Sequence, residues 1–180
     1  MKHLLLILIL SASCLASGQK PGAIQVVTHN RVTIVTNPAT GEKSYARWGV
    51  FPAADVPVRK IVLHLTLGTP DSMKTAHWDY CDNVFARRLG GVSGPSGDYE
   101  IARMLTPYGS IFGKGWQFEW TIDVTDFSSI LRDSVEIEYR HSGYEPDTVG
   151  WALTLDFEVL TGPEIVRPLP LAKLWHGNFK

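Results

Sequence analysis

The residue pair Trp78-Asp79 is the part of this sequence best suited to chemistry. It lies in the segment 75–85, TAHWDYCDNVF, at the start of a run that predicts a strand. A carboxylate held beside a large aromatic ring can act as an acid or a base, because the ring excludes water. The flat face of an indole also suits a pyranose ring. We therefore interpret Trp78 and Asp79 as part of a candidate sugar-processing site.

The elements that must position this pair are strands. In the run 151–159 the odd positions are large and apolar, and the even positions are small or polar. This period of two predicts a strand with one buried face, and similar runs recur between turn residues. The predicted strands are Ala23–Val35, Tyr45–Phe51, Val58–Leu67, Trp78–Arg87, Tyr99–Leu105, Trp116–Val124, Val135–Arg140 and Trp151–Leu160. One short helical turn is expected at 126–131, capped by Thr125 or Asp126. We predict an all-β fold, an antiparallel eight-stranded jelly-roll sandwich.

Composition limits the class of protein. The 180 residues, 44% of them hydrophobic, are enough for one globular domain. The net charge of −1 gives no electrostatic basis for binding nucleic acid or an anionic membrane. We therefore expect neither as a partner.

The first 18 residues predict a signal peptide. Lys2-His3 precede the apolar run 4–10, and small residues follow up to Gly18, where cleavage is expected. The protein should then be secreted or periplasmic. The alternative is a lipid anchor on Cys14. If Cys14 is removed, Cys81 is the remaining thiol, which excludes a disulfide within the chain and a thiolate metal site. We expect Cys81 to be a small buried residue on a strand.

Four ordered blocks together resemble a known family. They are the segment 75–85, IARMLTPY at 101–108, IDVTDF at 122–127 and LDFEV at 155–159. This set resembles the N-terminal domain of the peptide-N-glycosidase F family, amidases that free N-linked glycans from asparagine. The resemblance covers about 51–163 and implies a jelly-roll domain at 19–163. It also implies that the tail, 164–180, leads toward a second jelly-roll, which the printed sequence does not contain.

The resemblance assigns roles to individual residues. It implies that Asp79 is the general base, that Trp78, Tyr80 and Tyr108 contact the substrate, and that no cofactor or metal is needed. Three departures accompany it: Tyr80 stands where the family has an arginine, the cysteine-bounded loop before the motif is absent, and a simple alignment places a basic residue of 138–141 at a second family carboxylate. A further catalytic carboxylate belongs to the second domain.

Two functional hypotheses follow. One is hydrolysis of the glycosyl-asparagine amide of N-glycoproteins, with a second jelly-roll on a separate chain completing the site. The other is a binding module for glycans or proteins that has no activity of its own. A remote alternative is a copper-dependent monooxygenase-like domain, although His64, His77 and His141 are isolated in the sequence.

Several other residues have structural interpretations. Arg103 is expected in an ion pair, and Asp123 and Asp126 are expected to support the helical turn. Trp175, in the tail, is expected to be exposed and available to a partner. Four tryptophans are assigned to the core: Trp48, Trp116, Trp120 and Trp151.

Overall fold

The structure, a computed structural model, describes residues 22–87, 99–109 and 112–165. These ranges contain nine strands: β1 (Ala23–Ile34), β2 (Glu42–Val50), β3 (Val58–Gly68), β4 (Lys74–Thr75), β5 (Cys81–Arg87), β6 (Tyr99–Leu105), β7 (Gln117–Asp123), β8 (Ser134–Ser142) and β9 (Val149–Thr161). A single 3₁₀ turn, Thr125–Phe127, follows β7. No helix in the described ranges is long and apolar enough to cross a membrane.

The strands form two sheets. One has the order β1-β9-β3-β7, and the other has the order β2-β8-β5-β6. All neighbours in these two orders are antiparallel, and the two-residue strand β4 pairs in parallel with the start of β9. Each sheet therefore mixes strands from both halves of the chain, as two Greek keys require. The predicted all-β jelly-roll is confirmed, with β4 added to the eight predicted strands.

The core lies between the sheets and follows the alternation of β9. Trp151, Leu153, Leu155, Phe157 and Val159 are all completely buried, whereas the residues at the even positions 154, 156 and 158 remain partly accessible. Burying five such side chains contributes on the order of 10 kcal/mol before the entropy of ordering the chain is subtracted. The sequence pattern thus correctly predicts which face of this central strand is buried.

One end of the sandwich carries the candidate site. We call it the loop end, and it consists of three segments: loop 76–80 between β4 and β5, residues 106–109 after β6, and loop 143–148 between β8 and β9. The three segments meet because β5 starts where its neighbours β6 and β8 finish. The sheets thus bring together residues that are more than 60 positions apart in the chain.

The predicted strand at Trp78–Arg87 begins three residues too early. Strand β5 starts at Cys81, and residues 78–80 belong to the loop, because the N–H groups of Trp78 and Tyr80 donate to side chains rather than to a neighbouring strand. Cys81 is exposed, which corrects its predicted burial: it pairs with the exposed Leu105 on the outer face of the sheet.

Two further predictions need correction. Trp48 is 55% exposed, because it alternates with the buried Gly49 and points away from the core. Trp116 and Trp120 are partly buried and pack against the core. The helical turn is 3₁₀ and shorter than predicted; the Asp123 carboxylate accepts the backbone N–H of Thr125 at 3.0 Å and so supports it. The predicted signal peptide, Cys14 and Trp175 lie outside the described residues.

Candidate functional site

Loop 76–80 is held by side chains from the two other segments of the loop end. The buried carboxylate of Glu145 accepts the backbone N–H groups of His77, at 2.6 Å, and Trp78, at 3.3 Å. The hydroxyl of Thr106 accepts the N–H of Tyr80 at 2.9 Å, and the N–H of Thr106 donates back to the Tyr80 carbonyl at the same distance. These bonds satisfy backbone groups of the loop that have no strand partner.

Three rings form an aromatic cluster at the loop end. The centroids of His77 and Trp78 are 5.1 Å apart, those of His77 and Tyr108 are 5.2 Å apart, and those of Trp78 and Tyr108 are 5.6 Å apart. The Trp78 and Tyr108 rings meet edge to face, which is a favourable arrangement for aromatic pairs. Both remain more than half exposed, at 51% and 58%. The predicted ligand contacts Trp78 and Tyr108 are thus neighbours on the surface.

Asp79 follows the aromatic cluster in the loop and is exposed. None of the hydrogen bonds and ion pairs within 22–87, 99–109 and 112–165 involves its carboxylate, so that group is available to a ligand. Tyr80 takes a different direction: its ring lies against the backbone of Gly143, where any Cβ would collide with it. Tyr80, the fourth predicted site residue, is therefore half-buried and is not exposed in the way that Trp78 and Tyr108 are.

Arg140 is one of the two basic residues, with His141, in the segment 138–141 where the family resemblance implies a second carboxylate. Its guanidinium lies 4.5 Å from the centre of the Phe85 ring and 3.4 Å from the Glu138 carboxylate. Glu138 is itself buried in an ion pair with Arg87. The Arg140 charge therefore belongs to a cluster on the outer face of the β2-β8-β5-β6 sheet. The expected ion pair of Arg103 is confirmed, with two contacts to Glu100 at 2.6 and 2.9 Å.

A buried polar cluster beneath the loop end was missed in the sequence. The Asp82 carboxylate, fully buried, accepts the Tyr139 hydroxyl at 2.6 Å, His141 Nδ1 at 2.7 Å and the Ser142 N–H at 3.0 Å. Burial, together with the negative charge of Asp82, raises the pKa of Tyr139 well above its usual value, so the phenol stays protonated and donates. The alternation along β5 could have predicted the burial of Asp82, because Asp82 lies on the same face of the strand as the buried Val84 and Ala86.

The histidines considered for copper have other neighbours. His64 Nδ1 lies 2.8 Å from Glu119, and this carboxylate raises the pKa of His64. His141 pairs with Asp82, and His77 packs in the aromatic cluster. The part of the chain that the structure describes contains no group of three or more His, Cys, Asp or Glu side chains placed to hold a metal ion.

Comparison with solved structures identifies the fold. Three structures align over 79–80% of this chain at 21–22% identity, with TM-scores of 0.57 to 0.58. One is described as peptide-N(4)-(N-acetyl-beta-D-glucosaminyl) asparagine amidase, one as recombinant peptide:N-glycanase F (PNGase F), and one as PNGase F, a glycosylasparaginase from Flavobacterium meningosepticum. The fold is that of the PNGase F N-terminal domain.

The likeness to PNGase F is one of architecture. This chain spans only 43–44% of the length of those PNGase F chains. Neither a family model nor a curated protein sequence matches it. The fold is therefore what this chain shares with PNGase F, and the chemistry must be argued from the residues at the loop end.

Proposed function

We propose that the loop end binds the core of an N-linked glycan. The observation that carries this proposal is the aromatic cluster of His77, Trp78 and Tyr108, in which Trp78 and Tyr108 are exposed, followed in the chain by the exposed Asp79. Exposed rings fixed in position offer apolar faces to a sugar, and a carboxylate beside them accepts hydrogen bonds from its hydroxyl groups. The loop is held by Glu145 and Thr106, so little ordering is required on binding.

We further propose hydrolysis of the glycosyl-asparagine amide at this site. Asp79 removes a proton from water as the water oxygen bonds to the amide carbonyl carbon. The carbon–nitrogen bond then breaks, the nitrogen takes up a proton, and asparagine becomes aspartate. This step also needs donors for the developing oxyanion and a second carboxylate. A second jelly-roll would supply these groups, and the length of the PNGase F chains supports this, because this chain covers only 44% of one of them.

A binding module without activity is the second candidate. The two basic residues of the segment 138–141, where the resemblance implies a carboxylate, already have partners: Arg140 contacts Glu138 and Phe85, and His141 pairs with Asp82. Asp79 has no described hydrogen-bond partner that would orient it as a base. Both observations favour binding over catalysis by this chain alone, since losing an oriented group at an active site lowers the rate by orders of magnitude.

Binding can be tested with a matched pair of tryptophan variants. Trp78 and Trp48 are similarly exposed, at 51% and 55%, but Trp48 lies on the outer face of β2. A chitobiose-bearing glycopeptide should quench the fluorescence of the wild type and of Trp48→Ala, and should not quench that of Trp78→Ala. Equal quenching of the two variants would place the sugar elsewhere.

Hydrolysis can be tested in ¹⁸O-labelled water with a denatured N-glycoprotein. Release should leave one ¹⁸O in the new aspartate, which mass spectrometry detects. Asp79→Asn should abolish release, whereas Asp55→Asn, an exposed aspartate away from the loop end, should leave it unchanged. The assay is run on the chain alone and with a jelly-roll protein encoded beside it. Release by Asp79→Asn at the wild-type rate excludes Asp79 as the base, and no release in either assay leaves the binding module.

A further inference from the structure

Glu145 is a buried acid that makes no ion pair among the described residues. It is 7% exposed, and its backbone carbonyl accepts the Thr36 hydroxyl at 2.7 Å, which fixes the residue itself. One carboxylate oxygen, Oε1, accepts the N–H groups of the consecutive residues His77 and Trp78. Two neighbouring N–H groups on one charged acceptor define the direction of the backbone between them.

The second carboxylate oxygen of Glu145 takes no part in the bonds that hold the loop. Oε2 is buried and has no hydrogen-bond partner among the residues that the structure describes. Burying half of a carboxylate without a described donor is unfavourable, and a backbone carbonyl could accept the same two bonds without burying a charge. Polar groups that violate this rule concentrate where function requires them.

The bonds to Glu145 continue directly into the aromatic cluster. His77, which donates to Oε1, accepts the N–H of Gly109 at 2.9 Å through its carbonyl, and Gly109 follows Tyr108. The two bonds to Glu145 therefore position the backbone that carries the rings of His77 and Trp78, and through the bond to Gly109 they also position Tyr108. Asp79 is the next residue after Trp78, so its backbone direction is fixed from the same point.

We propose that Glu145 is the positioning residue of the site: its carboxylate holds loop 76–80 so that His77, Trp78 and Tyr108 form one sugar-binding surface and Asp79 stands beside it. The sugar-binding role of this surface rests on the glycan-binding function proposed above. The bonding itself does not depend on that function. Glu145 contacts loop backbone rather than ligand, so it is distinct from a catalytic residue.

The first experiment measures amide hydrogen exchange by NMR in the full chain. Glu145→Ala should accelerate exchange at His77 and Trp78 by about tenfold or more, as expected for losing a bond to a charged acceptor. Glu145→Gln keeps an acceptor oxygen and should restore most of the protection. The Tyr80 amide, which donates to Thr106, serves as an internal reference. Asp147→Asn, at an exposed acid of the same loop 143–148, serves as the matched control.

The second experiment measures binding and turnover with the same variants. Glu145→Ala should weaken binding of a chitobiose-bearing glycopeptide by at least tenfold, and any hydrolysis should show a raised KM together with a lowered kcat. Glu145→Gln should fall between Glu145→Ala and the wild type. If Glu145→Ala does not fold, the comparison is made with Glu145→Gln, whose shape is nearly that of the wild type.

Each outcome decides the proposal. Unchanged exchange at His77 and Trp78 in both variants overturns it, and so does accelerated exchange with undiminished binding. If the wild type neither binds nor releases glycan, the proposed function fails. The positioning claim is then decided by nuclear Overhauser contacts between the Trp78 and Tyr108 rings. Those contacts should be lost in Glu145→Ala and kept in Asp147→Asn, and their persistence in both variants overturns the claim.

Discussion

Asp82 is the residue whose replacement should reveal most about the buried polar cluster beneath the candidate site. Its buried carboxylate is the acceptor for three donors, from Tyr139, His141 and Ser142. Asp82→Ala would leave the tyrosine hydroxyl and the histidine ring without that acceptor, in a region closed to water. Each stranded polar group costs about 1–3 kcal/mol, which is partly offset because the carboxylate no longer has to be desolvated. We expect a net loss of about 3 kcal/mol in the free energy of unfolding.

Urea unfolding followed by tryptophan fluorescence measures this loss. Domains of this size are typically stable by about 5–15 kcal/mol, so Asp82→Ala should still fold with a clearly lower midpoint. Asp82→Asn keeps the shape and one acceptor oxygen, and should lose about 1–2 kcal/mol. Asp79→Asn, the same substitution at an exposed position three residues earlier, should stay within about 0.5 kcal/mol of the wild type.

The combination of variants also shows what would refute this reasoning. If Asp82→Ala is as stable as Asp79→Asn, the three contacts contribute nothing and the account of the cluster is wrong. A double-mutant cycle of Asp82→Asn with Tyr139→Phe isolates the shortest of the three bonds. The two changes should be clearly less than additive, because either one removes the same carboxylate–phenol contact at 2.6 Å.

Three further predictions concern the scaffold. Leu155→Asp should prevent folding because Leu155 is fully buried, whereas Thr154→Asp on the opposite face should cost no more than about 1 kcal/mol, as circular dichroism and urea unfolding will show. Gly143→Ala should destabilise by about 2 kcal/mol because its φ is +124° and a Cβ would strike the neighbouring tyrosine ring, while Gly113→Ala, with open space around its Cβ, should be nearly neutral in the same assay. Burial lowers the pKa of His29 in the folded protein, so the unfolded chain binds the proton more readily and stability should fall as the pH drops below about 6.5. A plot of the free energy of unfolding against pH should lose this slope in His29→Gln. An unchanged slope in that variant would contradict the assignment.

Alternation of side chains made the architecture predictable from the sequence. The run from Trp151 to Val159 has one buried face, and a strand of this kind needs a second sheet to cover it. Eight such runs and the four ordered blocks sufficed to predict the jelly-roll. Trp48 shows the limit of the method, because a large aromatic residue was assigned to the core by its type when its parity places it outside.

The candidate site was predictable only in part. Trp78 and Tyr108 were selected from separate segments, and the structure brings them to 5.6 Å. Glu145 was missed because it lies in an irregular loop 67 residues from Trp78, where no periodicity marks a contact. Local pattern determines the face of a strand, but which loops meet depends on strand order, and side-chain bonds to loop backbone depend on both.

The exposed thiol of Cys81 has a practical consequence for handling the protein. It lies two residues from Asp79, and a chain that starts at Gln19 carries no other cysteine. Under air, a disulfide through this sulfur would join two molecules at the start of β5, directly after loop 76–80. Kept reduced, the same sulfur accepts a single maleimide dye, which provides an optical reporter at the start of β5 without any engineered residue.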